Sequence, residues 1–303
     1  MEDRVLNRAP ALSIIVVSMN RKEMLERCLL KLGEQSLSDY EIIVVDNAST
    51  DGTEDLVRTR FPLARYERLE PNLGPPGGRN CGLRMAFSDM CVFLDDDAYF
   101  EDRHALARIN ECFVGRQELA VLAFRIVNPQ DGREEYKSIP RSDKRRINRD
   151  YECSYFCGAG FALRRGPFVE AGMFWERLFF TGEELDISFR LMNRGGRMIR
   201  MSAVSVVHDE TPQARIPGRW IYYGTRSRLW IALRNLPWRF VVSHTVLWWG
   251  YYFVMAVKNR HLAFFIGGVR DALKGIGAVL PERSPVSRST IDRLKTLSGR
   301  IYY

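Results

Sequence analysis

Between Thr211 and Arg270 the sequence has no aspartate or glutamate at all. The same stretch carries nine Lys or Arg and five of the six tryptophans, with Trp220, Trp230, Trp238, Trp248 and Trp249 set among Arg219, Arg226, Arg228, Arg234 and Arg239. An acid-free run of cations and amphipathic rings suits a bilayer interface, where cations meet anionic headgroups. Other absences exclude other classes. Met1 to Pro10 lacks the apolar core of a secretory signal, and the apolar run after it is too short for a span. Of six cysteines (Cys28, Cys81, Cys91, Cys112, Cys153, Cys157) only Cys153 and Cys157 are close, and no second pair completes a zinc pattern. Buried free thiols in a reducing cytoplasm are expected. No Gly-Lys-Ser/Thr makes a Walker loop, no dinucleotide fingerprint follows the first strand, and no internal repeat or low-complexity segment is present.

What is present is a chain of 303 residues, 46% hydrophobic, enough for one large domain with an appendage or for two domains. Its net charge of +8 points to a polyanionic partner: a phospholipid surface, a phosphorylated substrate or nucleic acid. Leu12-Ser13-Ile14-Ile15-Val16-Val17 and Glu41-Ile42-Ile43-Val44-Val45-Asp46 read as buried strands, and Leu63 to Leu69 as a third. Between them, Met24, Leu25, Cys28, Leu29 and Leu32 keep helical spacing, with Asn20 placed to cap that helix. Asp51 and Glu54 are placed as a capping box for the next. Strand and helix alternating at this pace signal βαβ units and a mostly parallel α/β sheet. Asn72 to Gly82, rich in glycine and proline, reads as a tight loop before a helix, able either to turn the chain or to cradle phosphate. Asn128 to Asp150, with its cluster of Arg and Lys, reads as a mobile surface loop.

The stretch Cys91-Val92-Phe93-Leu94-Asp95-Asp96-Asp97-Ala98 organises the rest. A buried strand ending in three carboxylates puts them at the carboxyl end of the sheet, where ligands bind in open α/β folds. Alternation lets Asp95 and Asp97 point one way and Asp96 the other. Two hard oxygen ligands on one side suit Mg²⁺ or Mn²⁺. Further on, Gly182-Glu183-Glu184-Leu185-Asp186 opens a helix, and Met198 to Val207 is a strand closing on His208. Thr181 and Glu184 also fit a capping box, which would make Glu184 structural.

In that order, the first strand, the Val44-Val45-Asp46 strand end, Leu94-Asp95-Asp96-Asp97 and Gly182-Glu183-Glu184-Leu185-Asp186 resemble the family 2 inverting glycosyltransferases of GT-A fold. The Asn72 to Gly82 stretch and His208 are similar to features of the rhamnosyl- and galactofuranosyltransferase-like branch. The resemblance covers about residues 12 to 210. It implies a GT-A, Rossmann-like, mostly parallel sheet in residues 1–212, followed by a helical, membrane-associating segment in 213–303. It implies metal ligands at Asp95, Asp97 and His208 for Mg²⁺ or Mn²⁺. Donor-binding positions are implied at Asp46, Asn72, Gly78, Arg79, Asp95 and Asp96, with Asp46 on the nucleobase or ribose. The general base is expected at Glu184, with Glu183 and Asp186 in reserve.

The reaction implied is transfer from a dTDP- or UDP-sugar to a lipid-linked or polysaccharide acceptor in cell-envelope glycan synthesis. Its place would be the cytoplasmic face of a bacterial-type inner membrane, peripheral or monotopic, with no nucleic acid partner. The alternatives are a polyprenyl-phosphate glycosyltransferase and a non-catalytic basic protein that binds membrane or nucleic acid. Phe240 to Val257 borders on the length of a span but includes Ser243, His244 and Thr245, so an in-plane or hairpin-like helix is expected. The competing reading is an ordinary helical cap.

Overall fold

The computed structural model describes residues 8–210 and 216–302. Three βα units open the chain: β1 (Leu12–Ser18), α1 (Lys22–Gly33), β2 (Tyr40–Asp46), α2 (Thr53–Arg60), β3 (Arg65–Arg68) and α3 (Gly74–Met85). β4 (Met90–Asp95) and β5 (Ala98–Phe100) bracket the acidic turn. They are followed by α4 (Ala105–Val114), β6 (Leu119–Val127), β7 (Tyr151–Glu152), β8 (Gly160–Arg164), α5 (Arg165–Glu170), α6 (Glu183–Asn193) and β9 (Arg197–His208). The helical remainder is α7 (Arg219–Asn235), α8 (Trp238–Lys258), α9 (Leu262–Lys274), α10 (Ile276–Val279) and α11 (Arg288–Thr296).

The strands form one nine-stranded sheet of order β3-β2-β1-β4-β8-β6-β9-β5, with β7 also on β9. β3, β2, β1 and β4 run parallel, as do β6 and β9, whereas β8 is antiparallel to β4 and β6. The apolar runs of β1, β2 and β4 are continuous because both faces are covered. Ile15, Ile43, Val45 and Phe93 face one apolar cluster with α3 and α6, and Ile14, Val16, Val44 and Val92 face the other with α1 and α4. The first cluster continues without a break through Trp175, Trp230 and Ile231 to Val286 and Ile291, so the C-terminal helices share the core of the sheet. The expected division at residue 212 falls at 211–215, outside the described residues.

Four local expectations are corrected. The glycine-rich stretch is α3 itself, with its prolines in the first turn, where a missing N–H costs nothing. Its glycines serve packing: a Cβ on Gly78 would lie 2.5 Å from Val17 Cγ1, and one on Gly82 would lie 2.4 Å from Ile15 Cγ2. Asn20 does not cap α1; its Oδ1 accepts from Thr50 N at 2.7 Å, and Asp51 Oδ2 accepts from Lys22 N at 3.0 Å instead. The Asp51–Glu54 box is absent because Asp51 Oδ1 takes Thr53 N at 3.2 Å while Glu54 pairs with Arg58. Residues 128–150 are not simply a surface loop, since Ser138, Ile139 and Glu134 are buried, Glu134 against Arg200.

Candidate active site

Sheet topology brings the predicted carboxylates to one edge. β1, β2 and β4 end together in parallel register, at Ser18, Asp46 and Asp95. Antiparallel pairing of β5 with β9 sets His208 opposite Ala98, next to Asp97. Asp95 Oδ, Asp97 Oδ and His208 N atoms then lie within 4.8 Å of one another. β4 ends at Asp95, so Asp96 and Asp97 lie in the turn to β5 and strand alternation does not set their directions; Asp96 Oδ2 accepts from Ser18 Oγ at 2.9 Å. Arg21 Nη1 bridges Asp96 Oδ1 at 3.0 Å and Asp97 Oδ2 at 2.9 Å. Burial, partly offset by Arg21 and reinforced by Asp97, pushes the Asp96 carboxyl up to about 7.

His208 lies between two acids, with Nε2 3.3 Å from Asp97 Oδ1 and Nδ1 3.3 Å from Glu135 Oε1. Burial works against its charge, but hydrogen bonds to Asp97 and Glu135 outweigh burial and lift the imidazole to about 10. The proton there neutralises the acids. Two carboxylates and one imidazole are a hard donor set that fits a divalent cation, which would displace that proton on binding.

Facing the triad is a second carboxylate group, joined to it by Arg79. This side chain is 5% exposed and donates from Nη2 to Asp95 Oδ1 at 2.9 Å and to the Gly158 carbonyl at 3.1 Å. Its Nη1 reaches Glu183 Oε1 at 3.0 Å and Glu184 Oε1 at 3.2 Å. Burial lowers the guanidinium's proton affinity, but Asp95, Glu184 and Glu183 more than restore it. Glu183 is buried and Glu184 is 18% exposed. Burial, with the charge of Glu184 adding to it, raises the Glu183 carboxyl to about 8 against the pull of Arg79. The Thr181–Glu184 capping box does not form: Gly182 is the N-cap with φ of 98°, no side chain caps the helix, and the Glu184 carboxylate turns to Arg79.

The remaining predicted residues make the following contacts. Asp186 is fully buried against Arg190, Arg234 and Asn235, pinning α6 to α7, and stands apart from the other carboxylates. Asp46 sits at the correct edge but is fully buried; Oδ1 accepts from Ser49 N at 2.7 Å, and Oδ2 from Tyr66 and Arg68. It shapes the turn beside the site. Asn72 Oδ1 accepts from Gly74 N at 2.7 Å and so fixes the entry to α3. Gly78 is buried against β1, and Arg79, expected on the donor, contacts Glu183 and Asp95 at the site.

Arg21 and Glu135 were not foreseen. Arg21 follows β1 at the same edge as the acids, a placement visible only once the strand order is known. Glu135 comes from the segment read as a loop, and no sequence signal marks it.

Residues 13–172 match the sequence profile of Glycosyl transferase family 2. A GalNAc(5)-diNAcBac-PP-undecaprenol beta-1,3-glucosyltransferase of Campylobacter jejuni is 35% identical over 92 residues, 29% of this chain and 30% of that protein. An abequosyltransferase of Salmonella typhimurium is 37% identical over 103 residues, 31% of each. The match thus spans less than a third of either relative. Among solved structures, S. aureus TarS 1–349 in complex with UDP-GlcNAc superposes with a TM-score of 0.61 at 19% identity, over 88% of this chain and 81% of that one. The mannosyltransferase of Pyrobaculum calidifontis in complex with GDP-Man and Mn²⁺ gives 0.55 at 19% identity, over 97% and 86%. These likenesses show a glycosyltransferase GT-A fold, a mixed and mostly parallel sheet with flanking helices, and the profile match covers more than half of the sequence. The chain belongs to glycosyl transferase family 2.

Proposed function

We propose that the protein is a metal-dependent inverting glycosyltransferase that moves a sugar from a dTDP- or UDP-sugar to a lipid-linked or polysaccharide acceptor. The observation that carries this reading is the pair of carboxylate groups, Asp95–Asp97–His208 on one side and Glu183–Glu184 on the other, joined by Arg79. A divalent cation held by Asp95, Asp97 and His208 would supply positive charge against a departing nucleoside diphosphate. Glu184, the more exposed of its pair, takes the proton of the acceptor hydroxyl. In one displacement the acceptor oxygen bonds to the anomeric carbon, the bond from that carbon to the phosphate oxygen breaks, and the diphosphate leaves with its electrons. Burial and the neighbouring Glu184 charge favour the protonated form of Glu183 against the pull of Arg79. Arg79 contributes by holding Glu184 and Asp95 in a fixed relation. The printed activities of the Campylobacter and Salmonella relatives support a glycan acceptor, the former an undecaprenyl-diphosphate-linked one.

We take residues 1–212 as the catalytic unit and 213–303 as the segment that lies on the cytoplasmic face of a bacterial-type membrane. α8 is long and apolar enough to cross a bilayer by length and composition. It is two-sided, however: His244, Trp248, Tyr252 and Ala256 are buried, while Val242, Val246, Leu247, Phe253, Val254 and Val257 are exposed. Ile266 and Leu273 of α9 are exposed as well, and Phe253 meets Phe265 edge-on, joining the two helices. A wide exposed apolar face flanked by Arg239, Lys258, Arg260 and Lys274 suits in-plane seating in an anionic leaflet. The test of function is a panel of nucleotide sugars scored by Mn²⁺-dependent thermal shift and donor hydrolysis. A response to a dTDP- or UDP-sugar supports the reading. Salt-sensitive binding of lipid or nucleic acid with no nucleotide response would favour the non-catalytic alternative.

A further inference from the structure

Three cations converge on Tyr155 and Trp248, and among the described residues no acid pairs with them. Arg228, on α7, is 5% exposed, and its Nε and Nη1 have no hydrogen-bond partner. Its guanidinium carbon lies 3.7 Å from the centre of the Trp248 ring. Arg300, beyond α11, stacks 4.3 Å from the Tyr155 ring and 5.6 Å from the Trp248 ring. Lys144 arrives from the segment after β6: its Nζ is 3.4 Å from the Tyr155 hydroxyl and donates to the carbonyls of Lys137 and Ile139. Among the described residues none of these three cations is paired with a carboxylate. His244, buried alongside, donates from Nδ1 to the Ile301 carbonyl at 2.8 Å and is held neutral by burial and Arg228, so it adds no further positive charge.

A guanidinium taken out of water without an opposite charge is strongly destabilising. Stacking on Trp248 returns part of that loss. The proximity of Arg228 and Arg300 adds to it, and burial together with Arg300 brings the Lys144 ammonium down to about 7. An anion would complete the two guanidiniums and secure the proton on Lys144, and two planar guanidinium forks with one ammonium match a phosphate group. The location narrows the ligand. Tyr155, whose ring Arg300 and Lys144 meet, stands three residues before Gly158, whose carbonyl accepts from Arg79, so one short backbone stretch of at most about 11 Å links the two groups. Trp248 belongs to the inner face of α8, the helix whose outer face is apolar and exposed. The cluster is thus tied to the site of transfer through Tyr155 and to the helix assigned to the membrane through Trp248.

We propose that Lys144, Arg228 and Arg300 bind the phosphate or diphosphate of a lipid-linked acceptor, placing its sugar hydroxyl towards Glu184. This rests on the reading of the chain as a transferase to such an acceptor. The probe is inorganic pyrophosphate, added to the full chain in EDTA at constant ionic strength so that the metal-dependent donor site is silent. The unfolding midpoint of the wild type should rise by about 2–4 °C once pyrophosphate is roughly five-fold above its Kd. The rise should vanish in Arg300→Gln and in Arg228→Met, shrink in Lys144→Gln, and persist in Arg116→Gln, an exposed cation elsewhere. Arg300 is only half-buried, so its replacement keeps the test open should Arg228→Met fail to fold. No rise in the wild type, or an equal rise in Arg300→Gln, overturns the proposal. Vesicles separate the sources of phosphate: Arg300→Gln should bind phosphatidylglycerol vesicles as the wild type does. Joint loss of vesicle binding and pyrophosphate response would assign the site to a lipid headgroup and overturn the acceptor role. UDP with Mn²⁺ should still shift Arg300→Gln. A wild type blind to UDP and Mn²⁺ would count against the glycosyltransferase reading, not against this anion site.

Discussion

Glu183 and Glu184 are adjacent and share Arg79, yet their surroundings divide their roles. Glu184 has access to solvent and hence to an acceptor, whereas Glu183 is enclosed. Glu184→Gln keeps the shape but cannot take a proton, so turnover should fall by roughly 10² or more while nucleotide affinity stays near normal. Unchanged turnover in stopped assays would remove Glu184 from the mechanism. Glu183 is tested by stability. Its folded carboxyl titrates at about 8 against an ordinary value of 4.5, so folding holds a proton that the unfolded chain releases. That contribution is complete below about 4.5 and is lost as pH rises towards 8. Glu183→Gln should therefore flatten the decline in unfolding midpoint between pH 5 and 8 relative to wild type, Asp96 leaving a residual slope of the same sign. The Asp95–Asp97 run was legible because three carboxylates close a buried apolar strand, although Asp96 and Asp97 lie in the turn after it, where alternation does not act. The duty of Arg79 was not, since it lies 16 positions before Asp95 and more than 100 before Glu184.

At the scale of elements, the parallel sheet could be read because β1, β2 and β4 are continuous apolar runs with both faces covered, whereas β3 is the polar Arg65–Arg68. α3 could not. Glycine and proline favour turns in isolation, and only its contact with β1 and β2 explains a helix. A methyl group on Gly82 would press on Ile15 Cγ2 at 2.4 Å and Val45 Cγ2 at 3.3 Å, both in the centre of the sheet. Gly82→Ala gains about 1 kcal/mol of helix propensity but loses about 1–3 kcal/mol to overpacking. The expected net result is a lower midpoint in chemical denaturation, and a rise would show that α3 can move off the sheet. The capping expectations at Asn20, at Asp51 with Glu54 and at Thr181 failed for one reason. Each side chain, or its intended partner, found a stronger group brought near by the fold.

For the whole molecule, the acid-free stretch indicated an interfacial surface, but not that its helices would share the core of the sheet through Trp230 and Ile231. The helices thus have two apolar sides, one closed by the sheet and one exposed. The full chain should sediment with vesicles containing phosphatidylglycerol, bind phosphatidylcholine vesicles less, and be released by high salt or carbonate. Replacing Val246, Leu247 and Val254 together by Glu should abolish sedimentation without lowering the unfolding midpoint, whereas retention until detergent is added would identify a span. The central claim is that Asp95, Asp97 and His208 hold a metal that the donor nucleotide requires. Calorimetric titration of UDP and dTDP into the full chain, with Mn²⁺ or with EDTA, for wild type and Asp97→Ala, tests it most directly. The expected result is binding only by the wild type and only with Mn²⁺, while equal affinity in EDTA or in the folded Asp97→Ala chain would contradict it.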